Sequence, residues 1–235
     1  MNGNMLIKNA SELVACSGMA AKQGAEMADL KIITDGAVMM REGKIEKVGP
    51  TAEILSQIEN SSEDMEKFDI IDAEGHAVLP GFIDSHTHLV FGGYRPQEFS
   101  WRLRGDSYME IMERGGGILN TVAATRSCTA EELIALGMRR LDSMLSMGVT
   151  TAEGKSGYGL NRETEIKQLE VMAQIDVLHY VDVVPTFLGA HAVPQSYKGR
   201  EDGFIDLMIE EVLPEVVERN LAEFCAIFCE KNVFS

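Results

Sequence analysis

The sequence predicts an α/β protein, a small β domain followed by a parallel sheet assembled from strand–helix–strand units. Three observations carry this. The texture of the chain changes once, near Pro80, from short alternating segments punctuated by glycine to strands that alternate with long helical stretches. The later strands are nearly continuous apolar runs, as expected where both faces of a parallel sheet are covered. Finally, 45% of the 235 residues are hydrophobic, which is normal for a packed chain and excludes disorder for most of it.

Taken in order, LKIITDGAVMMREGKIEKVG reads as two strands joined at Arg41-Glu42-Gly43-Lys44, and FDIIDAEGHAVLP as a further strand pair. Beyond Pro80, strands are expected at 82–90, 149–156, 181–190 and 222–229, with helices near 107–114, 130–147, 163–178 and 203–219. Two of these helices have recognisable starts, at Thr129-Ala-Glu-Glu and Asn161-Arg-Glu-Thr-Glu, with acids in the first turn. The expected division is residues 1–79 and 80–235.

Charge narrows the function classes. With 21 basic and 37 acidic residues the net charge is −16, and the acids are scattered, which argues against a nucleic-acid or anionic-membrane partner. An anionic small molecule would need locally placed arginines. The N-terminus has no basic region followed by an apolar core, and no run of apolar residues is long enough to span a bilayer, so a cytoplasmic protein is expected. Four cysteines, Cys16, Cys128, Cys225 and Cys229, are too scattered for a disulfide framework. Cys225 and Cys229 fall in EFCAIFCE, which reads as a buried strand; four residues along a strand is about 13 Å, too far for both sulfurs to share an ion.

Chemistry appears in Pro80-Gly-Phe-Ile-Asp-Ser-His86-Thr-His88-Leu. Side chains two apart on a strand share a face, with Cα atoms about 6.6 Å apart, so two imidazoles can converge on one ion. Alone, an HxH pair is a weak signal. Here it ends a buried strand, and the C-terminal strand ends of parallel barrels are where active sites are built.

These residues carry a resemblance. PGFIDSHTHL after a small β domain resembles the amidohydrolase superfamily of metal-dependent hydrolases. More narrowly, HTHLVFGGYRPQEF, GDSYMEIMERGGGILNTVAATR, GVTTAEGKSGYGL, PTFLGAHAVP and EFCAIFCEKNVFS, in order from 80 to 235, are similar to the imidazolonepropionase family. The resemblance implies a (β/α)8 TIM-barrel fold, here about the first four βα units, preceded by part of a composite β-sandwich. It implies hydrolytic ring opening of 4-imidazolone-5-propanoate to N-formimidoyl-glutamate, with one zinc or iron ion as cofactor.

Residue by residue, His86 and His88 match the family's first two metal ligands. Arg95, in FGGYR, matches a substrate-holding arginine, and a guanidinium suits a propionate carboxylate because it can grip it bidentately; spacing alone fits a surface-loop arginine equally well. Tyr158, in KSGYGL, matches a substrate-contacting tyrosine, flanked by glycines that allow close backbone approach, though by itself it reads as a turn residue. His191, in LGAHA, matches a substrate-binding histidine; the implied catalytic role is to orient the carbonyl or help stabilise the oxyanion.

Other positions are less specific. Tyr108 suits a pocket or the packing of a helix, and Gly115-Gly116-Gly117 reads as a loop near the substrate and not as a nucleotide cradle. Lys155, His76 and His179 are read as structural. In the family the third metal histidine and a catalytic glutamate come from the fifth strand and the last ligand, an aspartate, from the eighth, so the expectation is that 1–235 holds about half of the barrel. That leaves three readings: the N-terminal part of such a hydrolase, continued in cis or completed by a complementing C-terminal chain; an inactive fragment or interaction module; or another cyclic-amide hydrolase. For oligomeric state, a homodimer is the commonest arrangement.

Overall fold

The computed structural model describes residues 3–16, 18, 20–61, 65–107, 110–111, 114–230 and 234. Two compact units result, Met1–Pro80 and Gly81–Ser235.

Among the described residues, the first unit is a four-stranded sheet with one α-helix. Its strands are β1 (Asn4–Val14), β2 (Ile32–Arg41), β3 (Lys44–Pro50) and β4 (Asp69–Asp72), in the order β3-β2-β1-β4. The β2–β3 hairpin turns at Glu42-Gly43, with Arg41 opposite Lys44. Both turn residues have positive φ, 47° and 76°, the conformation that two-residue hairpins favour. Helix α1 (Thr51–Asn60) follows and places Ile54 and Ile58, one turn apart, in a core with Leu6, Met39 and Phe68. It was not anticipated, because only one narrow stripe of its sequence is apolar.

The strand pair expected in FDIIDAEGHAVLP is not a hairpin. Only Asp69–Asp72 is a strand, pairing in parallel with the first half of β1. After a turn at Glu74-Gly75 the chain rejoins β1 further along, where Val78 donates to the Glu12 carbonyl at 2.9 Å and accepts from Val14 at 2.9 Å. Both legs therefore pair with β1 and not with each other, on either side of an irregularity between Ile7 and Ala10 where Asn9 has φ 58°.

The second unit is a parallel sheet in the order β5-β6-β7-β8: β5 (Phe82–Thr87), β6 (Val149–Lys155), β7 (Asp182–Ala190) and β8 (Phe224–Ile227). Between β5 and β6 run α2 (Pro96–Leu103), α3 (Ile118–Ser127) and α4 (Ala130–Leu145). Helix α5 (Arg162–Leu178) links β6 to β7. The last crossover is α6 (Glu201–Leu207), a π turn (Met208–Val212) and α7 (Leu213–Glu218). The π turn ends just before Pro214, whose missing N–H interrupts the regular ladder. Helix α4 starts with a complete capping box between Thr129 and Glu132, and Asn161 caps α5 by accepting from Thr164 N–H at 2.8 Å. Leu89, Leu133, Leu141, Leu169, Met172, Ile175, Phe204 and Val212 form the core between sheet and helices.

The helix expected near 107–114 includes 108, 109, 112 and 113, which lie outside the described residues, as does Tyr108. Two expectations are corrected. Strand β5 stops at Thr87, not at 90, because Arg140 and Gln168 take over the carbonyls of Leu89 and Val90 at 2.7 Å each. The strands are also not all covered on both faces. β5 and β8 are the sheet's edges, Ile83 is 71% and Phe224 59% exposed, and Cys225 and Cys229 are exposed and not buried. An apolar run shows that a strand is to be covered, not what covers it.

Candidate active site

The parallel sheet sends its chain ends to one side, and there three of the sequence-nominated residues meet. His88 follows β5, Tyr158 follows β6 and His191 follows β7. The two imidazoles stack with ring centroids 4.7 Å apart and planes at 11°. Tyr158 leans on both, at 4.8 Å from His88 and 5.4 Å from His191, and Phe91 meets its edge at 5.7 Å.

A cleft of about 360 Å³ lies beside this cluster, lined by Phe91, Gly93, Tyr94, Arg95, Glu98, Phe99, Arg102, Thr121 and Tyr158. The histidines are absent from its lining, so Tyr158 is the side chain shared by cleft and cluster. Arg95, just ahead of α2, pairs with Glu98 at 3.3 Å, and buried Glu98 also accepts the Gly117 N–H at 2.6 Å. The triple glycine thus packs under Glu98: a Cβ on Gly116 would stand 2.7 Å from its Oε1. Its first effect is on Glu98 and, through Glu98, on Arg95.

The electrostatics favour neutral rings. Burial, then the neighbouring His191, lowers the His88 pKa to about 4, against an opposing pull from the Ser156 backbone. Burial also lowers the His191 pKa, and raises that of the Tyr158 phenol against the influence of Arg95. His191 Nδ1 lies 3.0 Å from the Gly157 carbonyl oxygen, which can only accept, so Nδ1 carries the proton and neutral His191 presents a bare Nε2.

His86 sits inside β5 with its side chain exposed, its amide donating to Asp84 at 3.3 Å; it is not part of the ring cluster. His88 Nδ1 is buried and has no hydrogen-bond partner. An orphaned imidazole nitrogen beside a second histidine on the same strand end fits a contribution to a metal site. Still, no group of three or more His, Cys, Asp or Glu among the described residues is placed to hold an ion. Nearby, Glu153 takes a hydrogen bond from Thr186 at 2.7 Å and an ion pair from Lys155 through Oε1, leaving buried Oε2 without a partner. His179 donates toward Asp142 at 3.3 Å and accepts from Val181 N–H at 3.0 Å, and His76 donates to the Ala73 carbonyl at 2.8 Å. Both work within the fold.

Sequence reading missed the residues that hold these groups. Arg140 donates to the carbonyls of Leu89 at 2.7 Å and Phe91 at 3.0 Å and lies 3.6 Å from the Phe91 ring centre. Gln168, fully buried, donates to Val90 and accepts from Tyr158 N–H at 3.2 Å. Arg126 donates to the carbonyls of Gly159 at 2.7 Å and Leu160 at 3.1 Å. Nothing in the sequence separates them from ordinary helix-surface polar residues.

A model of the amidohydrolase family matches residues 69–121. The fold is that of triazine hydrolase, a variant of which aligns over 92% of this chain and 42% of its own at a TM-score of 0.62 and 17% identity. Atrazine chlorohydrolase TrzN from Arthrobacter aurescens TC1, complexed with zinc, aligns over 98% of this chain and 48% of its own at 0.58 and 16% identity. The family-model match places this chain in the amidohydrolase superfamily. Within that superfamily it is similar over its whole length to imidazolonepropionases: it is 57% identical over 234 residues to imidazolonepropionase of Parabacteroides distasonis, covering 100% of this chain and 55% of that protein. The Clostridium tetani imidazolonepropionase is 51% identical over 233 residues, 99% of this chain and 54% of that protein. The chain thus spans about half the length of the curated relatives it matches. No helix among the described residues is long and apolar enough to cross a membrane.

Proposed function

We propose that this chain takes part in the metal-dependent hydrolytic ring opening of 4-imidazolone-5-propanoate to N-formimidoyl-glutamate, as a cytoplasmic protein with a small-molecule substrate. The observation that carries the reading is the juxtaposition of a two-arginine cleft with the His88–Tyr158–His191 cluster, in a chain about half identical to named imidazolonepropionases over its whole length. An ionised propionate calls for the arginines, and a planar polar ring suits the stacked imidazoles and the phenol.

His86 and His88 would hold the ion, zinc or iron, together with ligands from outside the described residues, since catalytic zinc usually has three protein ligands. When bound, such an ion supplies activation of water and polarisation of the ring carbonyl. Arg95 and Arg102 grip the carboxylate, Arg95 with its orientation set by Glu98. Tyr158, a protonated phenol, donates to the substrate. His191, with its Nδ1 proton committed to Gly157, receives a ring N–H at Nε2; it has no proton there to give an oxyanion, which departs from the role implied by resemblance.

Calorimetric titration with imidazole-4-propionate, a non-hydrolysable relative of the substrate, tests this reading. Binding that weakens roughly tenfold to a hundredfold in Arg95→Ala is expected from the loss of a charged hydrogen-bonded pair. Equal affinity of wild type and variant would remove the proposed substrate orientation.

A further inference from the structure

The carboxylate of Glu165 is fully buried, yet the mechanism above does not use it. It belongs to the first turn of α5, where a side chain tilts back toward the helix start and so overhangs the preceding loop. Oε2 accepts the Gly157 N–H at 2.9 Å, and Oε1 accepts the N–H groups of Gly159 at 2.7 Å and Leu160 at 2.8 Å. Three amides converging on one buried carboxylate hold a loop whose backbone is far from relaxed: Gly157 has φ 104° and Leu160 has φ 50°. The other sides of the loop are also taken, Tyr158 N–H by Gln168 and the carbonyls of Gly159 and Leu160 by Arg126. The Gly157 carbonyl meets His191 Nδ1 at 3.0 Å. The fit leaves no slack, since a Cβ on Gly157 would lie 2.8 Å from both His191 Cβ and the Leu188 carbonyl oxygen.

We propose that Glu165 is a positioning residue: by fixing the amides of Gly157, Gly159 and Leu160 it aims the Gly157 carbonyl at His191, sets that imidazole in its Nδ1–H form and seats Tyr158. Its meaning for turnover rests on the substrate reading above; its effect on His191 does not. The carboxylate works here because both of its oxygens accept. In Glu165→Gln one oxygen becomes an NH₂ group, which either confronts the Gly157 N–H or gives up the Gly159 and Leu160 amides.

The test is the nitrogen-15 spectrum of the His191 ring in wild type, Glu165→Gln and Glu165→Asp, paired with titration of imidazole-4-propionate. In wild type, a protonated Nδ1 and a bare Nε2 are expected. In Glu165→Gln the ring moves toward a mixture of tautomers and analogue affinity falls about tenfold or more, as when a buried polar partnership is broken; the aspartate variant, one methylene short, lies between. Wild-type tautomer signals and affinity in folded Glu165→Gln would overturn the proposal. If wild type binds no analogue, the substrate reading falls and the tautomer readout alone decides. If Glu165→Gln does not fold, unshifted His191 signals in Glu165→Asp overturn the proposal, and shifted ones support it.

Discussion

His88 and His191, 103 positions apart in the chain and attached to strands that are not neighbours, stack face to face at 4.7 Å with their planes at 11°. Two charged imidazoliums so placed would repel, and burial lowers the pKa of both rings. Tyr158 packs against both rings.

On the proposed reading, Arg95 and the pair His86 and His88 serve different ends of the substrate, which can be separated experimentally. Arg95→Ala is expected to raise KM far more than it alters bound metal, because its partner is Glu98 and its outlook is the cleft. Metal analysis beside the kinetics decides; a parallel loss of metal would show that Arg95 supports the ligands instead.

For His86 and His88 the expectation is reversed. Either histidine replaced by alanine lowers zinc affinity by about a hundredfold or more, while His191→Ala, read as a substrate contact, changes it far less. Competition with a chromophoric chelator measures this. Retention of wild-type affinity in both alanine variants would place the ion elsewhere.

Arg140 is expected to matter to stability before activity. Its alanine variant strands the carbonyls of Leu89 and Phe91 and removes a guanidinium from the Phe91 face, a cost of about 2–4 kcal/mol. A urea midpoint unchanged from wild type would show that water replaces the guanidinium at no cost.

A pH dependence follows from the exposed cluster joining α5 and α7. Arg219 hydrogen-bonds Glu215 at 2.9 Å and pairs with Glu170, while Arg162 approaches Glu215 at 2.6 Å. Arg219 first, opposed by burial and helped by Arg162, holds the Glu215 carboxyl below its ordinary value of 4.5. A depressed acid stabilises the fold above its unfolded pKa and loses that contribution as pH falls through the folded one. Wild type should therefore exceed Arg219→Ala in unfolding midpoint at neutral pH, and the gap should close as pH drops below 4.5. A gap constant across that range would mean that Arg219 acts through packing.

Legibility followed the range of the interaction. The β2–β3 turn and the caps of α4 and α5 were readable, because each is decided by residues within four positions of one another. The same local reading gave Glu165 only as an acid of the first turn, whereas it is buried among amides of the preceding loop. The leg carrying Val78 was misassigned for a related reason: its partner β1 lies more than 60 residues away, and an alternating pattern does not name the strand it pairs with.

By itself the sequence determined the strand–helix alternation, the kinship and the residue types available for chemistry: an HxH pair, arginines, a glycine-flanked tyrosine and a late histidine. Periodicity and motif spacing are properties of short segments, so they survive being read one at a time. Only the tertiary structure decided that His88, Tyr158 and His191 share one place while His86 stays outside the stack, that Glu98 governs Arg95, and that His191 offers an acceptor and not a proton. Those outcomes depend on parallel strand ends brought side by side and on which buried donors remain without water, and burial is settled only when the whole sheet and its helices have packed.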